Sequence, residues 1–177
     1  VNWTDQRLVQ VSPETAGNTW APEAYYDATI GAYVVFWASK LYEEDDPGHT
    51  ANTYNRMMYT TTRDFYTFTE PQVWVDPGYS VIDSTVIEHD GEFYRFTKDE
   101  ASMTIREEKS TDLLATISGT LPGTSGAADQ WTLVKEKVAT GLSNGEPGGT
   151  YSSGEGPSIF PSNPGDVNGF EWYLFID

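Results

Sequence analysis

Ser80-Val81-Ile82-Asp83-Ser84-Thr85-Val86-Ile87-Glu88-His89-Asp90-Gly91-Glu92-Phe93-Tyr94-Arg95-Phe96 reads as a strand, a tight turn and a second strand. Its β-branched and aromatic residues favour extended chain, and Asp90-Gly91 supplies the positive backbone angles of a two-residue hairpin turn. The same phrase occurs twice more. Trp20-Ala21-Pro22-Glu23-Ala24-Tyr25-Tyr26 turns near Ile30-Gly31 into Ala32-Tyr33-Val34-Val35-Phe36-Trp37. Gly154-Glu155-Gly156-Pro157-Ser158-Ile159-Phe160 passes through a Gly/Pro/Asn insert into Phe170-Glu171-Trp172-Tyr173-Leu174-Phe175. Aligned on the hairpins, Glu23, Asp83 and Glu155 take equivalent places, each near the start of its first strand. Three hairpins opened by an acid predict a radial β repeat whose first strands converge.

Working outward, each hairpin is followed by further strands. After the first come a third strand around Arg56 to Thr62 and a fourth around Thr69 to Val75. After the second come Ser102 to Glu108, a Gly/Ser/Thr-rich loop from Ser118 to Ala128, and an outer strand from Gln130 to Glu136. Ala101 to Leu114 is charged enough to pass for a helix, but its Ser and Thr content and its place in the repeat favour strand and turn. Val1 to Val11 repeats the pattern of Asp64 to Val75 and is expected to be the outer strand of a preceding unit. The predicted plan is an outer strand over 1–14, complete four-strand units over 15–79 and 80–150, and half a unit over 151–177. With Val1 rather than Met first, the chain is expected to begin inside a repeat. Four-strand units of roughly 60 residues are the pattern of propeller blades, about two and a half of them here. An immunoglobulin-like sandwich is the competing all-β arrangement.

Composition narrows the function classes. A chain of 177 residues with six Trp and eleven Tyr can build a real core. Its formal net charge of −17 repels nucleic acid and anionic membranes and suits an extracellular or salt-tolerant protein. There is no cysteine, hence no disulfide and no thiolate metal site. No apolar run approaches the ~18 residues of a membrane-spanning helix.

In a propeller the first strand of every blade lines the axis, so Asp83 and Glu155 are expected to face each other. Paired carboxylates in unequal surroundings suit general acid–base work on glycosidic bonds, one kept protonated by repulsion from the other. Among 27 acidic residues such a pairing is weak evidence taken alone. Other constellations are poorer. The loop Glu43-Glu44-Asp45-Asp46-Pro47-Gly48-His49 can be read as a calcium loop, but it lacks EF-hand spacing and is better read as solvated. His49 and His89 belong to no zinc motif, and no phosphate loop or serine nucleophile elbow is present. No cofactor is required by this pattern; calcium is possible without an assigned residue.

Trp20-Ala21-Pro22-Glu23, Val81-Ile82-Asp83 and Gly154-Glu155-Gly156-Pro157-Ser158-Ile159-Phe160, in that order, resemble glycoside hydrolase family 43. The likeness runs from Trp3 to Leu174. It implies a five-bladed β-propeller and inverting hydrolysis of plant-type polysaccharide, most often of α-L-arabinofuranosyl linkages, by a secreted enzyme. It also implies roles: Glu155 as general acid, Asp83 as the carboxylate that adjusts and orients it, and Trp20 as an aromatic face for a sugar ring. Glu23 is either a sugar contact or a structural acid. The family's general base is an Asp one blade before the Trp-Ala-Pro motif, a place this chain does not reach. Asp5, on the expected outer strand, is too far from the axis to replace it. The resemblance therefore implies a partner in the remainder of the same propeller. The alternative is a non-catalytic carbohydrate-binding propeller or adhesin using Trp20 and Trp37.

Overall fold

The computed structural model describes residues 2–115, 117–118 and 131–177, and these contain strands, turns and no helix. The architecture is all-β. Strands β1 (Trp20–Asp27), β2 (Ala32–Lys40), β3 (Asn55–Thr62) and β4 (Gln72–Asp76) form an antiparallel meander. A short strand, β8 (Ile117–Ser118), runs parallel to β4 at its edge, opposite Val75 and Asp76. The second meander is β5 (Val81–His89), β6 (Glu92–Asp99), β7 (Thr104–Ser110) and β9 (Thr132–Val138). Beyond it, β10 (Ser158–Pro161) and β11 (Trp172–Phe175) pair as a hairpin.

The turn chemistry explains the registers. Asp90 and Gly91 adopt φ of 53° and 80°, the left-handed pair of a two-residue hairpin, so His89 faces Glu92 directly. Between β1 and β2 the Asp27 carboxylate accepts hydrogen bonds from the Thr29 amide (2.8 Å) and hydroxyl (2.6 Å). The third and fourth strands lie within a few residues of their expected places. Most of the Ser118–Ala128 loop lies outside the described residues.

One expectation fails. Residues 2–11 form no strand, and Trp3 and Leu8 are almost wholly exposed. An outer strand persists only if a third strand supplies its ladder of hydrogen bonds, and no described strand lies beside this segment. It is tethered instead through Arg7, which donates to the Phe65 carbonyl at 2.9 Å and lies 4.1 Å over the Tyr66 ring.

A single apolar core lies between the two meanders. Val34, Phe36 and Ala38 of β2, Met57 of β3 and Trp74 of β4 are completely buried, and they pack with Val81, Val86, Phe93, Leu113 and Trp131. At its centre the Arg95 guanidinium sits 3.9 Å from the Trp131 ring and 4.6 Å from the Trp74 ring. Arg95 donates to Glu108 Oε2 at 2.5 Å, and Arg106 donates to Glu108 Oε1 at 2.8 Å. The two indole N–H groups are satisfied by the Leu113 and Ala115 carbonyls, at 2.9 and 2.8 Å. A buried cation is tolerable here because it is paired with a carboxylate and faced by π-systems.

Removing Glu108 leaves Arg95 buried without a countercharge. Glu108→Ala is expected to lower unfolding free energy by about 3–5 kcal/mol. Lys109→Ala, which breaks a half-exposed pair with Glu92 at 2.8 Å, is expected to cost far less. Urea denaturation of both variants checks the ranking.

Candidate active site

The site is organised by one inserted residue in each first strand. Trp20 pairs with Ala38 and Glu23 with Phe36, three steps against two. Ile82 pairs with Lys98 and Ser84 with Thr97, two steps against one. Glu155 exchanges backbone hydrogen bonds with Asp177 at 2.9 and 3.0 Å, while Ser158 pairs with Phe175, again three against two. Each insertion is marked by a positive φ: Ala21 at 47°, Asp83 at 49° and Gly156 at 56°. These are β-bulges, which bend a strand and re-aim a side chain.

The bulges correct the equivalence drawn from the hairpins. Ala21, Asp83 and Gly156 share one structural position. Glu155 stands one residue before it, level with Trp20 and Ile82. Glu23 stands two residues after it, level with Thr85 and Ser158. Counting back from the turns misplaces the acids because a bulge leaves no fixed residue type in the sequence.

The acids nevertheless come together. Asp83 Oδ2 accepts a hydrogen bond from the Gly156 amide at 3.2 Å, immediately beside Glu155. Burial pushes the Asp83 carboxyl above its ordinary range, and the charges of Glu155 and Glu100 add to this. The Gly156 amide and the Lys98 ammonium oppose it. Asp tolerates the left-handed conformation better than most residues, so the bulge carries a carboxylate at modest cost. Gly156 has no such freedom to change. A Cβ there would lie 2.8 Å from Asp177 Oδ1 on a backbone already at positive φ.

Lys98, on β6, is the residue that motif reading missed. It is 1% exposed, and its Nζ lies 2.9 Å from Glu155 Oε2 and 3.3 Å from Glu100 Oε1. The signal was a lysine at the inward end of a buried strand, Phe96-Thr97-Lys98, where an apolar residue is the norm. Burial acts to lower its pKa, but the hydrogen bonds it donates to Glu155 and Glu100 outweigh this and hold it above the ordinary value.

The first strands meet through Thr85. Its Oγ1 donates to Glu23 Oε1 at 2.9 Å and accepts from the Ile159 amide at 3.3 Å, tying β1, β5 and β10 at one point. Glu23 thereby fits the structural-acid reading, with its carboxyl raised by burial against the hydrogen bonds it accepts from Thr85 and Val86. Trp20 is 53% exposed and free to meet a ligand. Trp37 is fully buried in the core and presents no face to a sugar.

The acidic loop does different work. Asp46 accepts from the Thr50 and Ala51 amides, each at 2.9 Å through Oδ2, and is held below the ordinary carboxylate range by the Ala51 and then the Thr50 amide. His49 stacks on Tyr42 at 4.4 Å, and His89 sits edge-on to Trp172 at 5.7 Å. Among the described residues no group of three or more His, Asp and Glu is arranged to hold a metal ion. No helix among them is long and apolar enough to cross a membrane.

The raised Asp83 carboxyl has a sign that can be checked. Its folded value lies above the unfolded value of about 3.9, so stability is lost as pH rises from that value through the folded one, and is flat above. Asp83→Asn is expected to remove this portion of the pH–stability curve. In carboxyl-carbon NMR, Glu155→Gln and Glu100→Gln are each expected to lower the Asp83 midpoint, since each removes a neighbouring negative charge.

Comparison with known proteins places the chain. A family model described as "Probable glycosyl hydrolase domain", of a type related to glycoside hydrolase family 43, matches residues 1–177. An α-L-arabinofuranosidase of Bifidobacterium longum subsp. longum is 45% identical over 112 residues, covering 56% of this chain and 10% of that protein. The chain thus spans about a tenth of the length of the curated relative it matches. With its whole length matched by that model, the chain belongs to the glycosyl hydrolase family related to glycoside hydrolase family 43.

Proposed function

We propose that this chain carries the acid side of the active site of an inverting glycoside hydrolase that cleaves α-L-arabinofuranosyl linkages in plant-type polysaccharide outside the cell. The observation that carries the reading is the junction of β5, β6 and β10. There Asp83 holds the amide that follows Glu155, and a buried lysine grips Glu155 itself. The half-exposed Glu155 carboxylate can reach a glycosidic oxygen, whereas Asp83 is set back and anchored. The 45% identity to a protein named as an arabinofuranosidase favours that sugar.

In this reading the two meanders and the β10–β11 hairpin are blades of one propeller, and the polysaccharide lies at their converging first strands, with Trp20 along a sugar ring. Glu155 gives its proton to the glycosidic oxygen as the bond from that oxygen to the anomeric carbon breaks, the electron pair leaving with the oxygen. Water adds to the anomeric carbon from the opposite face and yields its proton to a base. The products are a hemiacetal sugar with its anomeric configuration inverted and the alcohol of the leaving group, with no covalent intermediate. Asp83 keeps the Glu155 backbone in place through Gly156 and, when ionised, disfavours loss of the Glu155 proton. The base is supplied from outside these 177 residues, by the remainder of the same propeller. These steps require no cofactor, and calcium is possible without an assigned residue.

Glu155→Gln in the whole protein is expected to lower turnover of natural arabinofuranosides by about 10²–10⁴-fold. Aryl arabinofuranosides with good leaving groups need little protonation and should lose far less. Equal losses on both substrates would remove Glu155 from the acid role.

A further inference from the structure

Register identifies the residues that stand at the Lys98 position in the other sheets. Lys98 pairs with Ile82 on one side and Ile105 on the other. In the first sheet Ala38 pairs with Trp20 and Met57, the same place relative to the bulge. In the third hairpin that place belongs to Asp177, opposite Glu155. The strand arrangement is therefore satisfied by an alanine, and a fully buried ammonium is not a requirement of the fold. Burying one is costly unless it is paired. Its pairing crosses between elements, from β6 to the segment before β10.

Four charged groups surround this point. Lys98 comes from β6, Glu100 from the turn between β6 and β7, Asp83 from the β5 bulge, and Asp177 from the chain after β11. Lys98 Nζ lies between two carboxylates of different exposure, Glu155 at 54% and Glu100 at 32%. An ammonium shared between two acids stabilises whichever of them is ionised.

We propose that Lys98 is a positioning residue that sets the acid strength of Glu155, with Glu100 as the competing carboxylate that limits its effect. The inference rests on the reading of Glu155 as general acid. While Glu155 is protonated, the ammonium is held by Glu100. As the Glu155 proton passes to the departing oxygen, the new carboxylate gains the ammonium at 2.9 Å, so the charge formed in the step is met by one already in place. Asp83 works in the opposite sense, and the balance of the two fixes the pH at which Glu155 ceases to be an acid.

The test is the alkaline limb of the pH profile of kcat/KM in the whole protein, which reports loss of the general-acid proton. Lys98→Met is expected to move that limb up by about 1–3 pH units, because an opposite charge within hydrogen-bonding reach is removed. Glu100→Gln, a partly exposed change, is expected to move it down, because the ammonium then serves Glu155 alone. Lys98→Arg, which keeps the charge, should restore the limb toward its original place. Limbs that stay fixed, or that move in the same direction in Lys98→Met and Glu100→Gln, would overturn the proposal. If Lys98→Met does not fold, as judged by its melting curve, Glu100→Gln decides alone. Failure of the acid reading looks different: Glu155→Gln would then lose no more activity on poor leaving groups than on good ones.

Discussion

Every first strand in this protein carries one residue more than the strand it pairs with, and the site exists because of that excess. A regular strand sends alternate side chains to opposite faces, so a sheet of regular strands offers no place where a carboxylate can turn toward a neighbouring sheet. The bulge breaks the alternation once. In β5 it turns Asp83 toward the amide of Gly156, and in the segment before β10 it leaves Glu155 directly ahead of the turn of the chain. Removing the excess residue from β5 would shift every side chain before it to the other face.

Two buried cations show how differently the same expense can be used. Arg95 lies between two indole rings with Glu108 alongside, wholly inside the core, where it fixes how the meanders pack. Lys98 is equally buried but reaches out of its sheet toward half-exposed carboxylates. The first arrangement uses the planar guanidinium, which stacks and forks; the second uses a compact ammonium that can be shared. The residue types match the tasks.

Much of the fold was legible because turn chemistry and β-branched runs are local signals. Asp90-Gly91 announced its hairpin, and the third and fourth strands followed from the repeat. The extended segment 2–11 was misread because Trp3-Thr4-Asp5 carries a strand pattern, and pattern alone does not provide a pairing partner. Of the candidate site, Asp83, Glu155 and Trp20 were visible through their motifs. Their structural equivalence was misjudged, since a bulge can carry Ala, Asp or Gly alike. Thr85 was silent, and Lys98 gave only the hint of a lysine in an otherwise buried strand, because their importance is a matter of what lies across from them on another hairpin. Trp37 looked available in the sequence, yet β2 is buried on both faces over its second half.

The clamp of Trp74, Arg95 and Trp131 bears on how the molecule opens. Trp74 belongs to β4, Arg95 to β6, and Trp131 immediately precedes β9, so neither sheet can separate without exposing a charge and two indoles at once. The meanders are thus bound into one unit at the core, so the amides of the strands beside the clamp are the ones that need both to come apart before they exchange. The β10–β11 hairpin has no share in that clamp. Among the described residues, the hairpin and the segment before it hydrogen-bond to the rest at Thr85, Asp83, Lys98 and Met103. Glu155 stands in the segment that leads into this hairpin, outside the clamp, so local fraying there displaces its carboxylate while the fold around Asp83 stays intact.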